Sequence, residues 1–203
     1  MKCCPIWPTF LAIQFLGSTA GTTIGDFCDT IPIPSLHSTG SDVCYVSCPA
    51  GLLTWAQAFT YCSSMWATPG IGARPAKAHS IEDIDNLESL VGENPDQLHW
   101  IGFGTDNPSH NGNIDNFRWC DDASCTTGRL YDATKDTFES SDIDVDPSKM
   151  CAGYTVNSAS EVWKVDNHDC STQTTPHIIC ELYEDSGGGA TTQGERRSSQ
   201  AVQ

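Results

Sequence analysis

The sequence predicts a single domain that mixes α-helices with β-strands and is pinned by disulfides, and three observations carry that expectation. Two stretches, Thr54 to Trp66 and Ser80 to Val91, open on helix-capping patterns and continue with apolar residues at helical spacing. Short apolar runs bounded by turn residues read as strands, the sharpest being His99-Trp100-Ile101-Gly102-Phe103. Eleven cysteines in 203 residues follow a leader-like N-terminus, so most of them are expected to pair in an oxidising compartment.

Length and a hydrophobic content of 38% suffice for one sizeable core, and two domains would be cramped. The formal charge of −16 repels nucleic-acid phosphates and anionic membranes, which leaves cations and basic proteins as the expected charged partners. At the N-terminus Lys2 precedes an apolar run from Ile6 to Leu16, and Ser18-Thr19-Ala20 supplies the small residues of a cleavage site. Residues 1–20 are therefore expected to be a secretory signal and the protein to be extracellular. The run is shorter than the roughly 20 apolar residues that span a bilayer, and no later segment approaches that length. Cleavage would remove Cys3 and Cys4 and leave nine of the eleven cysteines, an odd number. At least one thiol then stays outside the intramolecular pairs or joins another chain.

Residues 21–40 are rich in Gly, Thr, Pro and Ser and read as an extended segment, poorly packed apart from Cys28. The domain proper is expected over residues 41–183. Val43-Cys44-Tyr45-Val46 is its first strand. Thr54 and Gln57 form a capping box, and Trp55, Ala58, Phe59, Cys62 and Trp66 give the helix that follows one apolar face carrying a cysteine. Ser80-Ile81-Glu82-Asp83 starts a second helix, with Ile84, Leu87 and Val91 on its buried face. In the next strand Gly102 reads as a position where packing is close, beside Trp100. Asn107 to Asp144 is polar loop with brief strands such as Phe117-Arg118-Trp119, long enough to require a function or covalent pinning. Three strand-like runs follow at Cys151–Val156, Glu161–Val165 and His177–Leu182, and residues 184–203 read as a disordered tail.

Several of these pieces, taken together, resemble the C-type lectin-like domains. They are Cys44-Tyr45, Trp55-Ala56-Gln57-Ala58 with Cys62, Ala76-Lys77-Ala78-His79-Ser80, Trp100-Ile101-Gly102-Phe103, Trp119-Cys120-Asp121-Asp122, Cys151, Trp163, Cys170 and Ile179-Cys180-Glu181. The resemblance covers Cys28 to Leu182 and implies a double-loop α+β fold with two helices and small antiparallel sheets. It also implies bridges Cys62–Cys180 and Cys151–Cys170, with Cys28–Cys44 as the extra N-terminal bridge of long-form members. Cys120 and Cys125 are then near neighbours for a local pair. Cys48 is left over, either as a buried inert thiol or as the route to a disulfide-linked dimer.

What the resemblance implies for function is recognition through the long loop, where sugar-binding members hold a calcium ion with carboxylates and amides that share it with sugar hydroxyls. Calcium takes about 6–8 oxygen ligands. Here Asp146-Pro147-Ser148 looks like a degenerate acid-Pro-polar element, with Asp142 and Asp144 as further donors, and Asp166-Asn167 before Cys170 resembles the second ligand pair in reversed order. The expected metal set is Asp146, Ser148, Asp166 and Asn167, with His168 as an added ligand contact and a glycan or glycoprotein as partner. Two departures oppose it: Ser148 replaces a stronger ligand, and the ammonium of Lys149 stands where those members carry an acid. A solvated acidic loop is the competing reading of Asp142–Asp146. The alternative function is a calcium-independent domain of the same fold, binding protein or serving as a structural or matrix component.

An enzyme is not expected. His79, His99, His110, His168 and His177 form no His-x-x-x-His pair, and no Gly-x-Ser-x-Gly nucleophile turn is present.

Overall fold

The computed structural model describes residues 23–65, 70–91, 97–110, 112–136, 138, 141–157 and 162–185. The expected leader over residues 1–20, Trp66 and the expected tail from residue 186 lie outside the described residues. Among the described residues there are three α-helices, α1 (Ile24–Cys28), α2 (Trp55–Met65) and α3 (Ile81–Val91). The strands are β1 (Ser35–Ser38), β2 (Val43–Leu53), β3 (Ile71–Pro75), β4 (His99–Gly104), β5 (Arg118–Cys120), β6 (Gly128–Leu130), β7 (Ser141–Asp142), β8 (Cys151–Asn157), β9 (Val162–His168) and β10 (Thr175–Glu184).

The lead-in departs from the expected extended segment. Thr23 and Asp26 cap α1 reciprocally: the Thr23 hydroxyl accepts the Asp26 N–H at 3.1 Å, and the Asp26 carboxylate accepts the Thr23 N–H at 3.2 Å. Ile24 and Cys28 are buried beneath it. β1 then pairs antiparallel with β2, from Ser35 opposite Val46 to Ser38 opposite Val43. A helix this short shows no apolar period, so its cap was the only local signal for it.

β2 runs well past the expected Val46 because β10 pairs with it from Leu53 to Cys44. Helix α2 starts on its capping box, with the Thr54 N–H donating to Gln57 Oε1 at 2.9 Å and the Gln57 N–H to the Thr54 hydroxyl at 3.4 Å. Trp55, Ala58 and Cys62 are buried along it. At α3 the Asp83 N–H donates to Ser80 Oγ at 3.3 Å, while the Asp83 carboxylate reaches back one residue further than expected and accepts the His79 N–H at 2.7 Å. Ile84, Leu87, Leu90 and Val91 form its buried face.

β4 is buried at every residue and divides two apolar clusters. Ile101 and Phe103 join Ile84, Leu87, Val91 and Tyr154 on the α3 side, while Trp100 joins Trp55, Ile178 and the Cys62–Cys180 bridge on the α2 side. Both tryptophans also hydrogen-bond across the centre, Trp55 Nε1 to the Ile101 carbonyl at 2.8 Å and Trp100 Nε1 to that of Leu53 at 2.9 Å. Gly102 donates its N–H to the Ala76 carbonyl at 2.8 Å, and a Cβ on it would lie 2.8 Å from the Pro75 carbonyl oxygen. The close packing expected at Gly102 is there, and it is the backbone at the end of β3 that makes the approach.

The strands join in one hydrogen-bonded network in the order β1-β2-β10-β4-β8-β9-β7, with β3 on β10 and the β5–β6 hairpin on β4. Two of the pairings, β10 with β4 and β7 with β9, are parallel. Disulfides link Cys28 to Cys44, Cys62 to Cys180, Cys120 to Cys125 and Cys151 to Cys170. Cys48 takes part in none of them and lies fully buried on β2 opposite Ile178. Its thiol is therefore not presented to a second chain, and the dimer route through it is not supported.

Candidate functional site

The long connection between β4 and β8 carries Asp142, Asp144, Asp146 and Ser148, while Asp166, Asn167 and His168 lie on β9, and the base of the connection is fixed by contacts that sequence reasoning did not find. Asp136 is fully buried and takes a bidentate ion pair from Arg129 at 2.6 and 2.9 Å. It also accepts the Asp132 N–H at 2.8 Å, while Arg129 donates to the Ala78 carbonyl at 2.7 Å and so ties the loop to the segment before α3. Phe138 packs among Phe103, Trp119, Tyr131 and Tyr154, with ring centroids 5.6 to 5.9 Å away. The one signal for this anchor was a lone phenylalanine in a polar run.

Beyond Phe138 the loop returns along β7, where Asp142 sits opposite Asp166 of β9. Asn167 then fastens the next turn. Its fully buried amide accepts the Asp144 N–H at 2.7 Å and donates to the carbonyls of Asp144 at 3.1 Å and Lys149 at 2.7 Å. The turn over residues 144–149 is thus closed by three hydrogen bonds from one side chain. Val165 and Asn167 are buried on one face of β9, and Lys164, Asp166 and His168 line the other.

The remaining oxygens are engaged as well. Lys149 forms an ion pair with Asp144, and the hydrogen bond between them holds the lysine pKa above its usual range. Asp146 Oδ1 accepts both the N–H and the hydroxyl of Ser148, at 2.9 and 2.8 Å, which depresses its carboxyl pKa. Asp166 has Lys164 Nζ at 3.4 Å and His168 Nε2 at 3.9 Å. The His168 ring stands edge-on to Trp100 at 5.9 Å, and burial pushes its pKa down although Asp166 pulls the other way.

The structure brings Asp144, Lys149 and Asn167 together and places Asp166 beside Lys164 and His168, on the opposite face of β9 from Asn167. Asp146 and Ser148 lie exposed at the turn, bonded to each other. Among the described residues no group of three or more His, Cys, Asp or Glu side chains is placed to hold a metal ion. As a calcium donor set these residues do not fit: two ammonium groups sit on two of the carboxylates, and the amide is consumed by loop backbone. No helix among the described residues is long and apolar enough to cross a membrane.

No family profile matches the sequence, and no curated protein matches it. Solved structures do match in three dimensions. The C-type lectin domain of murine dendritic cell inhibitory receptor 2, in complex with N-glycan, aligns at a TM-score of 0.50 and 16% identity over 76% of this chain and 100% of that one. The C-type lectin CEL-I from Cucumaria echinata aligns at 0.45 and 14% identity over 77% and 99%. Ovocleidin-17 of the Gallus gallus eggshell calcified layer aligns at 0.44 and 18% identity over 72% and 94%. At these identities the murine domain supports a likeness of fold, and the fold of this chain is that of a C-type lectin-like domain.

Proposed function

We propose that the chain is a secreted, non-enzymatic recognition module for a glycan or glycoprotein, and that it recognises its ligand without a calcium ion in the long loop. The observation that carries the second part is occupancy. Lys149 neutralises Asp144, Lys164 neutralises Asp166, and the Asn167 amide is spent on the turn it closes. An incoming calcium ion would have to displace two lysines and would unfasten the turn it needs to bind. The extracellular part rests on four disulfides and the leader-like first 20 residues. The glycan part draws on the murine domain, which was solved with an N-glycan.

The test is a thermal melt with and without millimolar calcium beside a glycan array run in a chelator. We expect an unchanged Tm, array signal that persists in the chelator, and no effect of Asp166→Ala on either. A calcium-induced rise in Tm that Asp166→Ala removes would restore the calcium site. One observation favours a second reading: Val145 is 80% exposed at the turn between Asp144 and Asp146. An apolar tip flanked by acids suits a basic protein surface, and an array without signal would make a protein ligand the leading reading.

A further inference from the structure

A cleft of about 280 Å3 opens between α2, β3, β10 and the turn after β5, and it shares no residue with the 144–149 turn or with β9. Its walls include Phe59 and Ser63 from α2, Arg74 from β3, Asp121 and Asp122 from the turn, and Tyr183 from β10. The polar groups are held from behind. Arg74 donates Nε at 2.6 Å to Glu181, whose side chain is fully buried, and its guanidinium lies over the Tyr183 ring at 4.5 Å. The guanidinium is thereby fixed from the Nε side, while Nη1 stays 3.9 Å from Asp121, outside hydrogen-bond reach. Lys77 Nζ bonds Asp121 from the interior side, and Asp122 is oriented by the Ser124 N–H at 2.7 Å and the Thr127 hydroxyl at 3.3 Å.

Charge decides which ligand suits this lining. Glu181 balances Arg74 and Lys77 balances Asp121, so Asp122 carries the surplus. The surplus charge turns away an anionic ligand, and a cation bridging Asp121 and Asp122 would have to displace Lys77 and face the Arg74 guanidinium. A neutral polyhydroxylated ring meets neither obstacle, since its hydroxyls donate to carboxylates and accept from guanidinium, and its C–H faces pack on aromatic rings. The depression is open to solvent and leaves room for one sugar ring to lie against it rather than to be enclosed.

We infer that this cleft is a calcium-independent binding site for a single neutral sugar unit, its ring against Phe59 and its hydroxyls shared among Arg74, Asp121 and Asp122, with Tyr183 holding the guanidinium in place. This rests on the glycan reading above and gives it a place outside the long loop. Because the polar groups are already ordered by Glu181, Lys77 and Ser124, binding costs little side-chain entropy.

The test uses the whole chain in a chelator, titrated with methyl mannoside, methyl galactoside and N-acetylglucosamine to ~50 mM, the range a millimolar site requires. Saturation-transfer NMR and the ring shifts of Phe59 and Tyr183 report binding, and the same protein and its variants are run on a glycan array. At least one sugar should saturate the ring shifts. Asp122→Asn, which alters an exposed turn residue, and Phe59→Leu should each weaken binding about tenfold or more, the loss of roughly one hydrogen bond to a charged group or one ring face. Asp166→Ala should leave binding unchanged, and matching melting curves should show that the variants are folded. Array binding in chelator that survives both cleft variants would overturn the cleft and leave the glycan reading standing. No sugar binding by the unmutated chain in either assay would overturn both.

Discussion

Asn167 and Glu181 show how single polar side chains hold this molecule where apolar packing does not reach. Replacing Asn167 with alanine leaves the Asp144 N–H and the Lys149 carbonyl without their buried partner, at a cost of about 2–3 kcal/mol. In a chain of this size that is a fall in Tm of roughly 5–10 °C. Asn167→Asp should do no better, since it keeps the acceptor but loses both donors and buries a charge; hydrogen exchange at residues 144–149 should rise in both variants. A silent Asn167→Asp would show that the amide does not fasten the turn. Glu181 is the ionic counterpart. Full burial pushes its pKa up, but His79, Arg74 and the Lys77 N–H together hold it below the usual carboxylate value. A depressed carboxylate contributes stability above its unfolded pKa and loses it on acidification through the folded value. Glu181→Gln leaves Arg74 with only the Asp121 carboxylate at 3.9 Å, and a loss of about 3 kcal/mol should follow in denaturant melts at neutral pH.

At the scale of elements, the parallel pairing of β4 with β10 sets two histidines side by side. His99 lies opposite His177 with ring centroids 4.8 Å apart, and neither His99 Nε2 nor His177 Nδ1 has a hydrogen-bond partner. Burial drags the His99 pKa down to about 4, with His177 adding to the fall and the Gln97 carbonyl opposing it; burial lowers His177 as well. Tyr154, the other residue opposite His99, directs its hydroxyl to Glu88. Because the folded pKa lies below the unfolded value near 6.5, the unfolded chain binds protons first as pH falls. Stability should be full above about pH 7 and drain away between roughly pH 6.5 and 4, by as much as ~3 kcal/mol for His99 alone. Melting curves from pH 7.5 to 4.5 should therefore slide downward, and His99→Phe should flatten that slope; an unaltered slope would show that the acid sensitivity arises elsewhere. The elements themselves differed in how legible they were. α2 and α3 announce themselves because caps and apolar period are local, and β4 because a run buried on both faces is apolar throughout. α1 is too short to show a period, β1 is an edge strand of mixed polarity paired with the β2 that follows it, and β7 has only two residues and depends on a partner more than twenty positions away in β9.

The whole molecule is organised by closures of very different length, and length decides what each is worth. The candidate site illustrates why only part of it was readable: Asp144, Asp146, Asp166 and Asn167 stand out as types, but which face of β9 each occupies, and which lysine reaches it, follow only from the folded register. Arg129, Asp136 and Phe138, which anchor the same loop, carry no spacing signal at all. Disulfides are the exception, being long-range contacts written in a residue type. Cys62–Cys180 spans 118 residues, Cys151–Cys170 19, Cys28–Cys44 16 and Cys120–Cys125 5. On the chain-entropy account these closures contribute about 5, 3, 3 and 2 kcal/mol respectively. Paired Cys→Ala replacements should destabilise in that order. Loss of the first should abolish secretion of folded protein, because about 5 kcal/mol approaches the whole stability of a small domain. Loss of Cys120–Cys125 should yield a folded chain with a modestly lower denaturation midpoint. Cys48→Ser provides the control: a hydroxyl in place of its buried thiol should lower stability slightly while the protein still runs as a monomer on a non-reducing gel. A dimer band that Cys48→Ser removes would show that β2 opens enough to expose this thiol, and would return the chain to a covalent assembly.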